Sequence, residues 1–554
     1  MPFQQNPTLA NMSENPTYNR LDTAFARFLS HRAKLVGNQK LAFENVLIRL
    51  SCGQNQGHNC LAISHDEQDL LLASGLADTI GQLPLVIEQN RLYLQRYWHY
   101  ENRLAMQLKA MMENKFPFAN VDTLLDRYFP EQASGLDWQR EAAKLAISQS
   151  LCIITGGPGT GKTTTVVKIL AALQELSVAP LHIALAAPTG KAAMRLQESI
   201  GSRIADLPCS DTLKSHIPET VTTLHRLLGA RPPSPYFHHN AAQPLIYDLV
   251  VVDEASMVDL ALMGKLVDAL KPGARLILLG DKDQLASVES GAVLADLTQI
   301  LPAHTLELKT SHRFGGQIKA LADAVNQQQA DAAWQILQQG DACCALLEGD
   351  LIGVIAKQQL DYLRLINAGA DFGDIYLAFN RYQVLCSNRH GKNGVADINH
   401  QTEQKLASQK QLILSGLWYL GRPVMVTQNN AALHLYNGDI GICMPDKTQE
   451  GKLMVFFLRP DGSVKKYLPT RVPHCETVFA MTIHKSQGSE FDHVSIVLPE
   501  ASNQVLTKEL LYTAITRAKN TVRLVTDATV FKQTVGQKVT RVTGLVDKFQ
   551  NGPP

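Results

Sequence analysis

The stretch "GGPGTGKT", Gly156 to Thr163, constrains the fold more than any other part of the 554-residue chain. It fits G-x-x-x-x-G-K-[ST] and lies between an apolar strand-like run, "LCIIT", and a helix-forming run. Glycines at these positions let backbone amides wrap phosphate oxygens. In this reading Gly156, Gly157, Pro158, Gly159, Thr160, Gly161, Lys162, Thr163 and Thr164 hold the phosphates of ATP. Lys162 reaches the β- and γ-phosphates, and Thr163 ligates Mg²⁺. The competing reading is a glycine-rich turn with no ligand, and the strand–loop–helix context weighs against it.

The surrounding pattern is that of a doubly wound α/β lobe over about residues 116–315. "LCIIT", "HIALAAP", "LIYDLVVVDE" and "ARLILLGD" are near-continuous apolar runs ending in small or acidic residues. Buried parallel strands read this way, with functional loops at their carboxyl ends. At the end of "LVVVDEASM", Asp253 is suited to hold Mg²⁺, directly or through water, and Glu254 to orient and deprotonate the attacking water. Asp281 and Gln284 in "LLGDKDQL" are expected near the γ-phosphate, and Gln139 in "LDWQREA" is placed to read adenine. The proline- and histidine-rich "GARPPSPYFHHNAAQPLI", residues 229–246, reads as a surface excursion.

A second α/β lobe is expected from 316, with "DIYLAFN" and "QVLCSN" as strands over 316–410. Residues 411–475 change to an all-β pattern with turn signals at Asn437-Gly438 and Asp461-Gly462, predicting a small β-rich insertion. The lobe resumes over 476–554. Ahead of both lobes, residues 1–115 read as a mostly helical domain, "RLYLQRYWHYENRLAMQLKAMM" included. Its aromatic cluster Tyr93, Tyr97, Trp98 and Tyr100 reads as core or interface.

Composition narrows the partners. The formal charge is only +1, so nucleic acid would be held in a groove, by stacking and backbone amides as well as charge. No apolar run reaches the roughly 18 residues of a membrane span, and the polar N-terminus lacks the features of a signal peptide. Nine scattered cysteines without a CxxC pair suit a reduced, cytoplasmic chain. Cys52 and Cys60 around His58 make a poor zinc site.

Phosphoryl transfer needs positive charge on the γ-phosphate, and an arginine from a second body supplies it in many ATPases. Arg313 in "TSHRFGG", at the junction of the lobes, and Arg517 in "LYTAITRAKN" are the candidates. The polar stretch "MTIHKSQGSEFDHV", Met481 to Val494, is expected at the cleft between nucleotide and a bound polymer. Thr482, His484, Lys485 and Ser486 offer donors for phosphates, and Gly488 permits close backbone approach. In the first lobe Pro188, Thr189 and Lys191 in "APTGKAAMRL", with Thr223 and His225 in "TTLHRLLG", are the equivalent DNA contacts.

The ordered set "GGPGTGKTTT", "APTGKAA", "TLHRLLG", "VVVDEASMVD", "GDKDQL", "SHRF", "TIHKSQGSEFD" and "LYTAITRAK" resembles the superfamily 1 DNA helicases of the RecD-like branch over about residues 136–530. "LYLQRYWHYE" and the short length are similar to the RecD subunits of exodeoxyribonuclease V. The resemblance implies two RecA-like P-loop lobes and a 5′→3′ translocase on single-stranded DNA at duplex ends. It also implies RecB and RecC as partners, a role in double-strand-break repair and recombination, and a cytoplasmic, nucleoid-associated bacterial protein. It makes Lys162, Asp253, Glu254, Gln284, Arg313 and Arg517 the catalytic set, sets the 411–475 insertion over DNA and docks the N-terminal region on RecC. It assigns no nuclease to this chain. In some relatives the 229–246 excursion separates strands, but here it is short. A solitary helicase and an ATP-binding clamp that moves no DNA are the competing readings, and Glu254, Arg313 and Arg517 argue against the clamp.

Overall fold

Apolar β-branched runs at 151–155, 183–187, 249–252 and 275–280 are buried on both faces, and this forces helices onto both sides of the sheet they form. The computed structural model describes residues 18–118, 120–130, 136–287, 289–310, 316–430, 432–459, 462–472 and 474–550. It begins with a small sheet, β1 (Cys60–Ala62), β2 (Ala77–Asp78), β3 (Leu85–Glu88) and β4 (Arg91–Leu94), in the order β1-β4-β3-β2. The first lobe follows: β5 (Leu151–Thr155), β6 (Ile183–Ala187), β7 (Val221–Thr223), β8 (Leu249–Val252), β9 (Arg275–Gly280) and β10 (Thr305–Glu307). These six strands are all parallel, in the order β10-β5-β9-β8-β6-β7.

The second lobe starts with β11 (Cys344–Leu346) and β12 (Tyr382–Cys386). An antiparallel insertion of β13 (Pro423–Val426), β14 (Ile440–Asp446), β15 (Lys452–Leu458), β16 (Val464–Tyr467) and β17 (Cys475–Thr477) interrupts it. Then β18 (Ala480–Thr482), β19 (Phe491–Val497) and β20 (Ala518–Val525) complete a parallel sheet ordered β11-β20-β19-β12-β18. One face of the insertion packs on the lobe, with the Phe372 and Phe456 rings 5.5 Å apart.

Two expectations need correction. "DIYLAFN" is not a strand but the body of the helix Phe372–Asn380. Phe372, Ile375, Ala378 and Phe379 are buried on one face while Leu377 is 63% exposed, which is a helical period inside a short apolar run. The N-terminal region is helical over Arg20–Ser30, Gly37–Asn55 and His65–Ala73, but it also holds the β1–β4 sheet. Its strands are too short to show alternation. The turn joining β3 to β4 is Gln89-Asn90, both at positive φ (49° and 58°), a two-residue hairpin built without glycine. The helical pattern begins only at Gln95 and runs to Glu113; this helix lays Leu104, Ala105 and Leu108 on Leu260, Leu262 and Met263 of the first lobe.

The second lobe does not run to 554 as expected: after the helix Ala528–Gly536 the chain leaves it and straps back to the N-terminal region. Arg541 donates to the carbonyls of Ser287, Glu289 and Gly291, and the Val542 amide donates to His58 Nδ1 at 2.9 Å. The fully buried Glu101 accepts at Oε1 from Asn59, Thr543 and the Gly544 amide at 2.9, 2.9 and 3.3 Å. Gly544 is required there, because a Cβ would stand 1.8 Å from the Tyr93 hydroxyl. Tyr93 and Tyr97 are buried around this junction, the packing role read from the aromatic cluster.

Candidate active site

The sheet order puts the carboxyl ends of β5, β9 and β8 side by side, and the polar ends of those strands therefore converge. The loop after β5 is shaped by glycine: a Cβ on Gly161 (φ +84°) would meet Gln139 Nε2 at 2.4 Å. Gln139 Nε2 lies 3.4 Å from the Thr160 carbonyl, so the amide expected near adenine braces this loop. Lys162 opens the helix Lys162–Leu176, and its ammonium donates to the carbonyls of Gly156 (2.6 Å) and Gly157 (3.1 Å). It is thus held over the glycine cradle.

Asp253 and Glu254 follow β8. Burial and the neighbouring Glu254 push the Asp253 carboxyl up to about 6, against the pull of Lys162. Glu254 sits in the left-handed backbone region (φ 52°, ψ 40°), which costs a non-glycine residue roughly 1 kcal/mol or more. Next to them Asp281, pushed up to about 6 by burial, accepts at Oδ2 from Gln284 (3.0 Å) and from the Tyr512 hydroxyl (3.2 Å). Tyr512 belongs to the second lobe, so this carboxylate already joins the two bodies.

One cleft of about 580 Å³ collects these groups. Lys162, Thr163, Asp253, Glu254 and Gln284 line it from the first lobe, and Gly488, Glu490 and Arg517 line it from the second. Arg517 is 2% exposed, with Nε donating to the Thr513 carbonyl (3.1 Å) and Nη1 to the Ser489 carbonyl (3.3 Å). Burial lowers its pKa, and Glu254 is the largest opposing influence. Arg313 lies outside the described residues. The Thr163 hydroxyl and the Asp253 carboxylate are hard oxygen donors at the mouth of a glycine cradle, a set that fits a nucleotide triphosphate with Mg²⁺.

The residues assigned to DNA occupy the carboxyl edges of both sheets. Thr189 follows the end of β6 by two residues, Thr223 and Thr482 end β7 and β18, and each caps the next helix; their hydroxyl oxygens accept from the amides of Ala192, Arg226 and Lys485 at 3.2, 3.3 and 3.4 Å. A hydroxyl used this way keeps its proton to donate. Pro188 precedes the first cap and is half-buried. Lys191 is held by its neighbours: burial and Arg195 push its ammonium down to about 8. His225 is exposed, edge-on to Phe237 at 5.7 Å, and burial lowers the pKa of the half-buried His484. Lys485 is paired with Glu476 at 2.5 Å, so a phosphate there would compete with that carboxylate. Ser486 corrects the expectation: its side chain is fully buried and donates to the Ile483 carbonyl at 2.7 Å, out of reach of any polymer.

Sequence reasoning passed over Arg195, Arg203 and Glu490, all in the cleft wall. Arg195, Ser199 and Arg203 stand at i, i+4 and i+8 of the helix Gly190–Ile204, one stripe along the cleft. That spacing was readable, but no motif drew attention to it. Arg203 Nε donates to the Thr164 hydroxyl at 2.6 Å.

Fold and cleft together define a two-lobed P-loop NTPase with a cleft lined by residues of both lobes. The family profile described as an AAA domain matches residues 139–290, and the UvrD-like helicase C-terminal domain matches residues 477–525. The RecBCD enzyme subunit RecD of Mycolicibacterium smegmatis is 41% identical over 493 residues, 87% of this chain and 86% of that protein. The Haemophilus influenzae subunit of the same name is 36% identical over 533 residues, 84% of this chain and 82% of that protein. The ATP-dependent RecD2 DNA helicase of Deinococcus radiodurans is 31% identical over 463 residues, 83% of this chain but 57% of that protein. A solved structure of Bacteroides Pif1 bound to ssDNA is similar at 19% identity over 73% of this chain and 94% of that chain, with a TM-score of 0.40. The chain belongs to the family of RecD subunits of the RecBCD enzyme.

Proposed function

We propose that this chain is an ATP-dependent DNA helicase that moves 5′→3′ along single-stranded DNA as the RecD subunit of a RecBCD enzyme. The observation that carries this reading is the shared cleft: Lys162, Asp253, Glu254 and Gln284 of one lobe face Arg517 of the other. Mg²⁺, held by Thr163 and Asp253, would neutralise charge on the phosphates. Lys162 binds the β- and γ-phosphates, Gln284 stands at the γ-phosphate, and Glu254 orients the attacking water and takes its proton. Arg517 stabilises the charge that develops as the γ-phosphoryl leaves. Hydrolysis removes the group bridging the lobes, so the cleft opens and closes with each turnover.

The track lies along the carboxyl edges of the sheets, where Thr189, Thr223 and Thr482 keep donor hydroxyls. Family membership supports partnership with RecB and RecC and work in double-strand-break repair, and 5′→3′ polarity and loading at duplex ends belong to the same reading. Among the described residues no helix is long and apolar enough to cross a membrane. Steady-state ATPase on the purified chain, alone and with RecB and RecC, tests the reading. Turnover should rise steeply with single-stranded oligonucleotide and fall away in Lys162→Gln while DNA binding persists. A flat DNA titration in every mixture would reject it.

A further inference from the structure

The polar loop between β18 and β19 is gripped by an arginine from each lobe. Arg517, of its own lobe, donates to the Ser489 carbonyl at 3.3 Å. Arg195, on the first lobe's helix Gly190–Ile204, donates through Nη1 to the Gly488 carbonyl at 3.2 Å, and its Nη2 pairs with the Glu490 carboxylate. Residue 488 is glycine at φ +72°, a backbone conformation that suits glycine, and Ala192 of the first lobe lies at ordinary contact distance, 3.6 Å, from where a Cβ would stand. Gln487 adds a second tie between lobes, donating to the Leu285 carbonyl at 3.0 Å. Three consecutive residues, 488–490, thus lie between two guanidinium groups, and both groups face the cleft.

This arrangement has a chemical consequence. Arg517 is positioned partly by the Ser489 carbonyl, and that carbonyl is positioned by what Arg195 does to the residues on either side of it. We infer that Arg195 is a positioning residue for ATP hydrolysis: by clasping Gly488 and Glu490 it sets the Ser489 carbonyl and so the aim of Arg517. The inference rests on the reading of this cleft as the ATP site. It assigns Arg195 no contact with nucleotide. Because the helix it stands on begins at the Thr189 cap, the clasp also joins the edge of the sheet proposed to follow DNA to the cleft where ATP is cleaved.

A double-mutant cycle on the full-length chain tests this, with kcat and KM for ATP measured with and without single-stranded DNA and nucleotide affinity measured directly. Arg195→Ala should lower kcat by about 10²-fold, the scale of a misplaced reacting group, while KM and nucleotide affinity move little. Adding it to Arg517→Ala should cost nothing further, because the arginine it aims is gone. Arg195→Lys keeps the charge but not the two-pronged fork and should recover only part of the loss. The exchange Arg195→Glu with Glu490→Arg should recover more than either single change. A rise in KM with kcat unchanged would overturn the inference in favour of direct nucleotide binding. Losses that multiply in the Arg195→Ala, Arg517→Ala pair, or wild-type turnover in Arg195→Ala, would also overturn it. Unchanged turnover in Lys162→Gln would instead count against the ATP-site reading. Absent DNA stimulation would count against the helicase reading, and the cycle on basal turnover would still decide the clasp.

Discussion

Two places in this molecule bury carboxylates beside an arginine, and they do opposite things. In the cleft, Asp253 and Glu254 meet Lys162 and Arg517 around about 580 Å³ of open space, with Asp281 buried next to Gln284. At the junction of the C-terminal strap, Asp296 lies near Glu101 and Arg541, and the strap supplies Glu101 with the Lys548 charge and with donors from Thr543 and Gly544. In the cleft the charged groups are held apart by backbone contacts, with Arg517 on carbonyls and Lys162 on glycines, so their fields point at whatever enters. At the junction Glu101 Oε1 takes three donors and the Arg541 guanidinium is occupied by three carbonyls, so the same chemistry fastens one part of the chain to another. A buried ionic cluster becomes a site when its groups are positioned by others and left facing space; it becomes a bolt when their hydrogen bonds are spent on neighbouring parts of the chain.

The largest expected effect breaks the cleft side. Arg517→Ala should lower kcat for ATP by about 10³-fold or more with the fold intact, because it removes charge supplied to the transition state. A loss within tenfold in steady-state turnover would remove it from the catalytic set. Lys162→Gln should cost turnover on the same scale by removing the ammonium that the glycine cradle holds, while single-strand binding survives in a fluorescence anisotropy titration. Glu254→Gln should trap bound ATP, with turnover down about 10²-fold and nucleotide affinity preserved, as pre-steady-state quench experiments would show.

Changes at the junction should act on stability and leave the chemistry alone. Glu101→Leu strands the donors of Asn59, Thr543 and Gly544 and should cost about 2–4 kcal/mol in denaturant unfolding. Equal losses of turnover and stability would erase the contrast between the two places. The smallest effect is one of pH. Burial, with Glu101 nearby, pushes the Asp296 carboxyl up to about 7, against about 3.9 for an unfolded aspartate. Between those values the folded chain binds the extra proton, so this group favours folding fully below about pH 4 and loses its contribution as pH rises through 7. Asp296→Asn should flatten the fall in Tm over that window and change little below it.

The contrast also explains what the sequence made legible. The cleft is built from strand ends, and a strand end carries its function within a few residues, as "GGPGTGKT" and "VVVDEAS" do. Its parallel sheet could be inferred from unbroken apolar runs, and Arg517 from its motif. The junction has no such grammar. Glu101 meets Thr543, 442 residues away, and nothing near either residue names the other. The hairpin at Gln89-Asn90 hid because neither residue is glycine. "DIYLAFN" misled because a short apolar run suits either period until it is known that Ile375, Ala378 and Phe379 are its buried positions. Ser486 sits in a motif of donors, yet its hydroxyl is spent on its own turn, a detail no spacing encodes.

The strap bears on how the molecule comes into being on a ribosome. Synthesis is directional, and about 440 residues separate Glu101 from the partners it acquires at Thr543 and Gly544. Through all of that elongation the helix Gln95–Glu113 carries a buried carboxylate holding only Asn59 of its three donors. The first lobe can assemble its sheet during that time, but the N-terminal region stays under-stabilised until residues 541–548 emerge and dock. A released chain truncated just short of residue 541 would hold every residue of the nucleotide cleft but an unfinished N-terminal region, and a protease would cut that earliest-made part first.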